Sequence, residues 1–404
     1  MSDSGIFQQY ISQGVAQAEI GNFGQAIHCF TEAIELRLRH PGLYFAYFCR
    51  GHAYFHANNL KQAIADYTKA IALKPDDEAS CFSRGLAYKV SGDLKKAIKD
   101  YTRVIELRPD HAEAYDNRGN AYHALRDFER AIRDYSKAIE LNPRLVEAYY
   151  NRARAYTDVG KWEQAIADFD RAVELNPESA TFHIDRGNAR FKQGSYEQAI
   201  ADYTRATELD SQCAIAYQNR ANAYSSLGAI EQAIKDYSAA IELEPNWADA
   251  YHCRGLAYGT TGDSTQAAHD FTKNIELSPS DAAAYYNRGL AYANLGDFES
   301  AIRDYTEAIR LDFEDMEVAY IGRGFAYYDS GDLAQAIREF STVIRSSPKY
   351  AIAYLNRGDM YTASGDLRRA ILDYERYLQL APDAPNRGRI AELIGQLKSK
   401  LSKH

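Results

Sequence analysis

The stretch YDNRGNAY, residues 115–122, sets an asparagine, an arginine and a glycine side by side between tyrosines. Close copies of it return along the chain: YYNRARAY begins at Tyr149, YQNRANAY at Tyr217, YYNRGLAY at Tyr285 and YLNRGDMY at Tyr354. A phrase that returns at a fixed distance indicates a repeat architecture rather than one globular core. The chain of 404 residues is therefore expected to fold as stacked copies of one small unit.

Eleven repeats align when the small residue before the second tyrosine is counted as position 8. Their spacing is 34 residues, except for 37 after the first repeat and 35 after the ninth. The repeats occupy residues 7–384, and they begin at Phe7, Tyr44, Glu78, Ala112, Val146, Ala180, Ala214, Ala248, Ala282, Glu317 and Ala351. Residues 1–6 are expected to be disordered. Residues 385–404 predict a helix that caps the apolar end of repeat eleven.

Each repeat predicts two helices. In repeat nine, AAAYYNRGLAYANL (282–295) is followed by Gly296-Asp297 and then by FESAIRDYTEAIRL (298–311). Glycine suits the left-handed residue that ends a helix, and the aspartate can cap the next helix. Position 8 is Gly or Ala and position 20 is Ala in all eleven repeats, so the two helices can approach each other closely.

This pattern closely resembles the tetratricopeptide repeat (TPR) family. The resemblance rests on the 34-residue period, the Tyr/Gly/Tyr run, Ala at position 20, Tyr or Phe at position 24 and Pro at position 32. Ser211 and Phe313 depart from it, because each replaces the turn proline. The resemblance implies an all-α, right-handed superhelical solenoid of antiparallel helix pairs, in which the first helices line an inner groove.

Position 7 is arginine in repeats two to eleven, and position 23 is acidic in the same ten repeats. The predicted pairs are Arg50 and Asp66, Arg84 and Asp100, Arg118 and Asp134, Arg152 and Asp168, Arg186 and Asp202, Arg220 and Asp236, Arg254 and Asp270, Arg288 and Asp304, Arg323 and Glu339, and Arg357 and Asp373. Repeat one has Gln13 and Cys29 at these places, so both charges vanish together. We interpret the rows as structural ion pairs, within or between repeats, in preference to a row of arginines that binds phosphate or acids.

Asparagines recur on the opposite side of the first helix, where positions 2, 5, 6, 9 and 13 point away from the packed stripe. They stand at position 6 (Asn117, Asn151, Asn219, Asn287 and Asn356, with Asp185 in repeat six) and at position 9 (Asn120, Asn188 and Asn222). A carboxamide both donates and accepts, so it can pair with the backbone of an extended peptide. The TPR resemblance implies the same use of an inner asparagine ladder. Alternatively, these residues only keep the groove hydrated, since Cys253 and Gly322 interrupt the ladder.

The other groove positions differ along the chain. They are apolar in repeats two and three (Phe45, Phe48, Phe55, Phe82, Leu86, Val90) and again in repeats nine to eleven (Tyr286, Leu290, Ile321, Phe325, Ile352, Leu355). Exposed apolar patches mark contact sites, either for a partner or for the ends of further copies of the chain.

Acidic groups outnumber basic ones along the predicted groove. The carboxylates are Glu113, Asp116, Glu147, Asp158, Asp185, Asp249, Asp329 and Asp359, and the cations are Lys89, Arg154 and Lys192. Positions 2, 5 and 6 carry no Lys or Arg in any repeat, which disfavours a clamp for acidic tails. We therefore expect an extended, neutral to basic protein segment, held centrally by repeats four to seven.

Composition excludes several other functions. A net charge of −9 and a pI of about 5.7 argue against a general nucleic-acid binder. No apolar run approaches the roughly 18 residues of a membrane span, and residues 1–6 lack a secretory start. Five cysteines without metal-like spacing favour a reduced cytoplasm, and the repeat style looks bacterial.

Catalytic signatures are not found in the sequence, so we expect neither an enzyme nor a cofactor. His52 and His56 are spaced as metal ligands, but no third ligand accompanies them and no metal site is predicted. The sequence thus favours a non-catalytic scaffold that binds a partner segment in its groove. The alternative is a structural protein that self-assembles through its ends or outer faces.

Overall fold

The computed structural model describes residues 3–36 and 40–402. These residues form 23 α-helices and no strand, which is the all-α class that the sequence predicts. By their internal contacts they divide into two compact units, Met1–Leu209 and Asp210–His404, called here the N-terminal and C-terminal units.

The N-terminal unit contains repeats one to six. Its helices are α1 (Asp3–Glu19), α2 (Phe23–Glu35), α3 (Leu43–His56), α4 (Leu60–Leu73), α5 (Glu78–Val90), α6 (Leu94–Leu107), α7 (Ala112–Ala124), α8 (Phe128–Leu141), α9 (Val146–Asp158), α10 (Trp162–Leu175), α11 (Ala180–Gln193) and α12 (Tyr196–Leu209).

The C-terminal unit contains repeats seven to eleven and a final helix. Its helices are α13 (Ala214–Ser226), α14 (Ile230–Leu243), α15 (Ala248–Thr261), α16 (Ser264–Leu277), α17 (Ala282–Asn294), α18 (Phe298–Arg310), α19 (Met316–Asp329), α20 (Leu333–Ser346), α21 (Ala351–Ala363), α22 (Leu367–Leu380) and α23 (Arg387–Leu401).

The beginning of the chain differs from our expectation of a disordered segment over residues 1–6. Helix α1 already begins at Asp3, four residues before the first repeat position, while residues 1 and 2 lie outside the described residues. An acidic side chain in the first turn suits the positive end of a helix. Phe7 and Ile11 are buried in one cluster with Phe30, which holds this helix in place.

Close helix packing inside each repeat depends on the small residue at position 8. A Cβ atom placed on Gly119 would lie 2.7 Å from Tyr135, the aromatic residue at position 24 of the same repeat. The ring therefore lies directly on the helix backbone. Alanine at position 20 is fully or almost fully buried in every repeat, so neither position has room for a larger side chain.

The turn inside each repeat follows the predicted chemistry. Gly92 and Gly296, for example, have φ of 83° and 77°, which is the left-handed conformation that favours glycine. The residue after the glycine can cap the second helix: Asp93, after Gly92, accepts a hydrogen bond from the backbone N–H of Lys96. A sharp turn and, in most repeats, a side-chain cap thus fix where the second helix begins, whereas Lys161 and Ala229 make no such cap.

The arginine at position 7 joins neighbouring repeats. Arg152 donates two hydrogen bonds of 2.7 Å to Asp168 in its own repeat, from Nε and Nη2. Its Nη1 donates to Ser136 Oγ in the preceding repeat at 2.9 Å, and that hydroxyl donates onward to the Ile132 carbonyl. We call this three-residue arrangement the arginine clamp. The ion pair therefore lies within a repeat, and the same guanidinium reaches back to the repeat before it.

Clamps recur in both units. Arg50, Arg84 and Arg118 bind Asp66, Asp100 and Asp134, and they reach back to Thr31, Thr68 and Thr102. Arg254, Arg288, Arg323 and Arg357 bind Asp270, Asp304, Glu339 and Asp373, and they reach back to Ser238, Thr272, Thr306 and Ser341. Arg220 binds Asp236 in the same bidentate way.

Repeat six replaces the clamp by a larger charged cluster. Asp170 occupies the place of the serine or threonine, and Arg186 bridges it to Asp202. Arg190 stands where most other repeats have tyrosine, and it also binds both aspartates, at 2.9 and 3.0 Å. A second cation thus balances the second carboxylate. His183 packs beside them, with Nδ1 3.7 Å from Asp202.

Helix α23 covers the end of repeat eleven. Ile390, Ile394 and Leu397 are buried against Ile371 and Tyr377 of α22. Glu375 stands at the position that carries a clamp hydroxyl in other repeats, and here it accepts from Lys398 of α23 at 2.7 Å. The last repeat thus uses a carboxylate to hold the helix instead of a further repeat.

Breaking one arginine clamp should destabilise the array. Asp168→Leu would leave Arg152 mostly buried without its counter-charge, which costs about 3–5 kcal/mol when a buried pair is broken. Adding Arg152→Met should recover part of the loss, and urea unfolding of the four proteins in this double-mutant cycle measures the coupling.

The exposed pair Arg171–Glu174 on the same helix is the matched control. Glu174→Leu should change the unfolding midpoint little, because solvent screens this pair. Strictly additive losses for Asp168→Leu and Arg152→Met would show that the clamp does not couple these residues.

Removing the final helix should loosen the last repeat selectively. Deletion of residues 386–404 would expose the apolar surface of α22 that α23 covers. Hydrogen exchange should therefore become faster in residues 351–384, while residues 44–77 stay unchanged. Unaltered protection in residues 351–384 would contradict the capping role.

Candidate functional site

The first helices form the inner side of each unit. Within each unit, first helices of neighbouring repeats, such as α3 and α5 or α15 and α17, contact one another, whereas neighbouring second helices are farther apart. A stack whose first helices lie closer together curves toward them. The surface to which positions 2, 5, 6, 9 and 13 contribute is therefore called here the inner face of a unit.

The asparagines at position 9 have a partner inside the fold. Asn120 and Asn222 accept hydrogen bonds from the Tyr135 and Tyr237 hydroxyls at 2.9 and 2.7 Å. Asn188 accepts from Tyr203 in the same way, and Asp359 accepts from Tyr374. These side chains thus satisfy the buried hydroxyl at position 24.

Phenylalanine at position 24 removes the need for that acceptor. Repeats eight and ten have Phe271 and Phe340 there, and their position-9 residues are Leu256 and Phe325. Repeat three combines Tyr101 at position 24 with Leu86 at position 9, which cannot accept a hydrogen bond. The Tyr101 hydroxyl accordingly has no partner among the described residues. The position-9 asparagines of the predicted ladder therefore have a structural role.

Two position-6 asparagines are engaged as well. Asn117 accepts from Lys89 Nζ at 2.6 Å and donates to the Glu113 carbonyl at 2.9 Å. Asn151 donates to Asp116 Oδ1 at 3.0 Å, across the two repeats. Their carboxamides link neighbouring first helices of the N-terminal unit, and a peptide would have to compete with these bonds.

Asp116 is the centre of this polar network. It is only 7% exposed, so it is not the open groove carboxylate that its position predicts. Burial raises the pKa of its carboxyl group, while hydrogen bonds from Asn151 and Asn120 and the nearby Lys89 charge act in the opposite direction. Burial likewise lowers the pKa of the Lys89 ammonium.

The remaining polar residues of repeats four to six are partly paired. Asp185 accepts from the Tyr150 hydroxyl at 2.7 Å, and Asp158 lies 2.7 Å from His123. Arg154 is exposed, with its guanidinium 5.8 Å from the Tyr150 ring centre. Asn219 of repeat seven also has an interaction partner. The central repeats thus offer fewer free groups than the sequence predicts.

An apolar pocket opens on the first two repeats of the N-terminal unit. Its volume is about 460 Å³, within the range of ligand pockets. Its lining residues are Val15, Ala18, Glu19, Phe23, Phe30, Phe45, Phe48, Cys49, His52 and His56. Phe48, a predicted contact residue, lies on its wall, whereas Phe82 of the next repeat stacks on His111 at 5.1 Å.

A smaller cleft of about 230 Å³ opens on the C-terminal unit, between α15 and α17. Gly259 leaves space on one side, since a Cβ placed on it would meet nothing within 4 Å, and Phe271, which packs on Gly255, contributes to the lining. Asn287 and Asn294 supply two carboxamides. The Asn287 side chain forms no hydrogen bond with any residue that the structure describes, so it can both donate and accept.

Three large apolar side chains follow one another beside this cleft. Leu256, Leu290 and Phe325 occupy position 9 of repeats eight, nine and ten, and they are 44%, 44% and 40% exposed. We call these three residues the apolar stripe. Asp249 and Asp329 on the same first helices are exposed, and no Lys or Arg occupies an inner position of α13, α15, α17, α19 or α21.

Asn356, the last member of the predicted ladder, is buried. Only 8% of its surface is exposed, so it offers little to a partner. In the C-terminal unit, Asn287 is thus the member of the ladder that is both accessible and unpaired.

His52 and His56 contact each other instead of forming a metal site. Nε2 of His52 and Nε2 of His56 are 3.3 Å apart, which makes them hydrogen-bonding partners. Among the residues that the structure describes, no group of three or more His, Cys, Asp or Glu could hold a metal ion. All five cysteines are free thiols.

Comparison with known proteins agrees with the helix-pair geometry. Models described as Tetratricopeptide repeat match residues 150–212 and 322–385, and also 44–77 and 282–315. A further model, TPR repeat, matches residues 85–126, 119–160 and 221–262. Together the matches cover more than half of the chain. The chain belongs to the tetratricopeptide repeat family.

The chain is similar to several solved TPR structures. YrrB, described as a TPR protein with an unusual peptide-binding site, is 25% identical over 46% of this chain and 95% of its own, with a TM-score of 0.42. A TPR protein from Parabacteroides merdae is 24% identical over 63% and 98%, with a TM-score of 0.45. The C-terminal part of a TPR repeat-containing protein from Cytophaga hutchinsonii is 18% identical over 59% and 98%, with a TM-score of 0.53.

The search of curated proteins found no match. Within residues 3–36 and 40–402, no helix combines the length and apolar character needed to cross a membrane. TPR arrays are generally non-catalytic scaffolds that bind protein or peptide partners, and the fold of this TPR protein fits that role.

The pairing of position 9 with position 24 gives a test by substitution. Asn222→Leu should destabilise the protein by about 1–3 kcal/mol, because it leaves the buried Tyr237 hydroxyl without its carboxamide acceptor. Adding Tyr237→Phe reproduces the native combination of repeat eight, Leu256 with Phe271, and should recover most of the loss. Thermal unfolding of the single and double variants measures this, and a double variant no more stable than Asn222→Leu would contradict the pairing.

Proposed function

We propose that this TPR protein is a non-catalytic scaffold that binds an extended, neutral to basic segment of another protein on the inner face of its C-terminal unit. The apolar stripe carries the proposal. Three large side chains on consecutive first helices remain substantially exposed, whereas most apolar side chains of the packed faces are buried. Contiguous exposed apolar surface with a polar rim is typical of interaction sites.

The cleft beside the stripe supports an extended ligand. A strand advances about 3.3 Å per residue, and its side chains alternate between two sides. One side chain can enter the space beside Gly259, while the carboxamide of Asn287 pairs with backbone N–H and C=O groups. The proposed backbone contacts rely on Asn287 rather than on repeats four to seven, because Asn117 and Asn151 have internal partners.

Charge supports the chemistry of the segment. Asp249 and Asp329 are exposed and form no ion pair with any described residue, and inner positions of the C-terminal unit lack Lys and Arg. Their field attracts Lys or Arg side chains and repels acidic ones. Self-assembly through the C-terminal end is not proposed, because α23 covers the apolar surface of repeat eleven.

Peptide selection tests the proposal. A phage library of random twelve-residue peptides, selected on the full chain, should enrich sequences with large apolar residues and few acidic ones. The variant with Leu256→Asp, Leu290→Asp and Phe325→Asp should bind the enriched peptides at least tenfold more weakly, because its stripe is polar and more acidic. Fluorescence anisotropy measures the affinities, and circular dichroism checks the fold.

Leu372→Asp is the matched control, because Leu372 is an equally large apolar residue, 64% exposed on the second helix α22. It should leave peptide binding unchanged. Equal binding by the folded stripe variant and the wild type, or loss of binding in Leu372→Asp alone, would move the site away from the inner face.

A further inference from the structure

The apolar pocket of repeats one and two is separate from the apolar stripe, since all its lining residues belong to the N-terminal unit. Its walls come from three helices: α1 supplies Val15 and Ala18, α2 supplies Phe23 and Phe30, and α3 supplies Phe45 and Phe48. The pocket is open to solvent at Phe45, which is 40% exposed.

Aromatic contacts hold the walls in place. Phe23 stacks on His56 with ring centres 5.2 Å apart, and Phe48 lies 6.0 Å from the Tyr67 ring. His52 and His56 are hydrogen-bonded to each other through Nε2, so one ring donates and the other accepts, and the two cannot both be protonated at these atoms. A preformed pocket of this kind binds with little loss of side-chain entropy.

The pocket is also almost uncharged. Burial, followed by the neighbouring His56, lowers the pKa of His52, which favours the neutral imidazole. Burial raises the pKa of the Cys49 thiol to about 12, so this group stays protonated. Among the described residues that line the pocket there is no Lys or Arg, and the one carboxylate belongs to Glu19.

Glu19 lies where negative charge accumulates. It is the last residue of α1, at the end of a helix that carries partial negative charge on its free carbonyl groups, and no basic residue stands in the last turn. The Glu19 carboxylate is exposed and forms no ion pair with any described residue. A carboxylate and a helix C-terminus at one rim both favour a cation there.

We propose that this pocket is a second anchor site, which takes a large apolar side chain of a partner protein segment and pairs Glu19 with a Lys or Arg next to it. The volume accommodates the apolar side chain, and the rim selects the cation. The apolar interior supplies affinity by removing this side chain from water. The rim charge supplies orientation, because a segment running in the opposite direction would place its cation away from Glu19.

A defined peptide tests this site. The probe is a fluorescein-labelled peptide, Gly-Ser-Gly-Leu-Phe-Lys-Gly-Ser-Gly, compared with versions that carry Ser-Ser for Leu-Phe, Glu for Lys, or norleucine for Lys. The full chain should bind the Leu-Phe-Lys peptide at least tenfold more tightly than the Ser-Ser and Glu versions. Equal affinities for the Leu-Phe and Ser-Ser peptides, or no binding of either, would overturn the proposal.

Two variants locate the binding. Ala18→Phe fills the pocket from α1 and should weaken binding of the Leu-Phe-Lys peptide at least tenfold. Glu19→Lys lies at the surface and changes little of the pocket volume, so it should reverse the preference between the Lys and Glu peptides while the norleucine peptide binds as before. Glu231→Gln on α14, an exposed glutamate of the other unit, is the control and should change nothing.

The outcomes separate this site from the proposed function. Loss of Leu-Phe-Lys binding in the stripe variant, with full binding by Ala18→Phe, would place the peptide on the C-terminal unit and overturn the second anchor while leaving the proposed function intact. An unchanged Lys preference in Glu19→Lys would overturn it even if Ala18→Phe fails to fold. Sedimentation gives a further outcome. If the wild type self-associates and Ala18→Phe abolishes this association, the pocket binds a second copy of the chain, which would also overturn the second anchor.

Discussion

The arginine clamp is the interaction on which the array depends. A single helix pair cannot bury its apolar face alone, so stability comes from contacts between neighbours. Each clamp uses one guanidinium for two purposes: it neutralises Asp168 within a repeat and binds Ser136 of the repeat before it. Because a mostly buried charge must keep its partner, the register of neighbouring helix pairs is restricted to the arrangement that satisfies the guanidinium.

Buried polar groups on the inner face also need partners, and this need decides which polar side chains are free to bind another protein. Tyrosine at position 24 packs on the glycine at position 8, and its hydroxyl then needs an acceptor, which Asn120 provides in repeat four. Repeats eight and ten have phenylalanine instead, so their position-9 residues are released from this task. Leu256 and Phe325 occupy these released positions, so two of the three residues of the apolar stripe lie where the packing no longer requires a polar residue. The third, Leu290, is in a repeat that has Tyr305 at position 24.

The period, the glycine turns, the capping aspartates and the arginine–acid pairs could be predicted from the sequence, because each depends on residues at fixed spacing within a repeat. The hydroxyl at position 25 was missed, although serine or threonine recurs there in nine of the eleven repeats. Helical geometry placed the asparagines on the inner side, but it could not show that Asn117 binds Lys89 or that Asp116 is buried. These contacts depend on the distance between adjacent repeats, which cannot be read from the angular positions of residues around a single helix.

Methyl NMR spectroscopy can show whether the partner segment binds the inner face of the C-terminal unit. The full chain would carry ¹³C-labelled leucine methyl groups, assigned by single substitutions, and would be titrated with a peptide obtained by selection. We expect large shifts and intermolecular NOEs at Leu256 and Leu290, with no change at Leu372 on the second helix α22. Shifts and NOEs at Leu372, with Leu256 and Leu290 unaffected, would contradict this proposal.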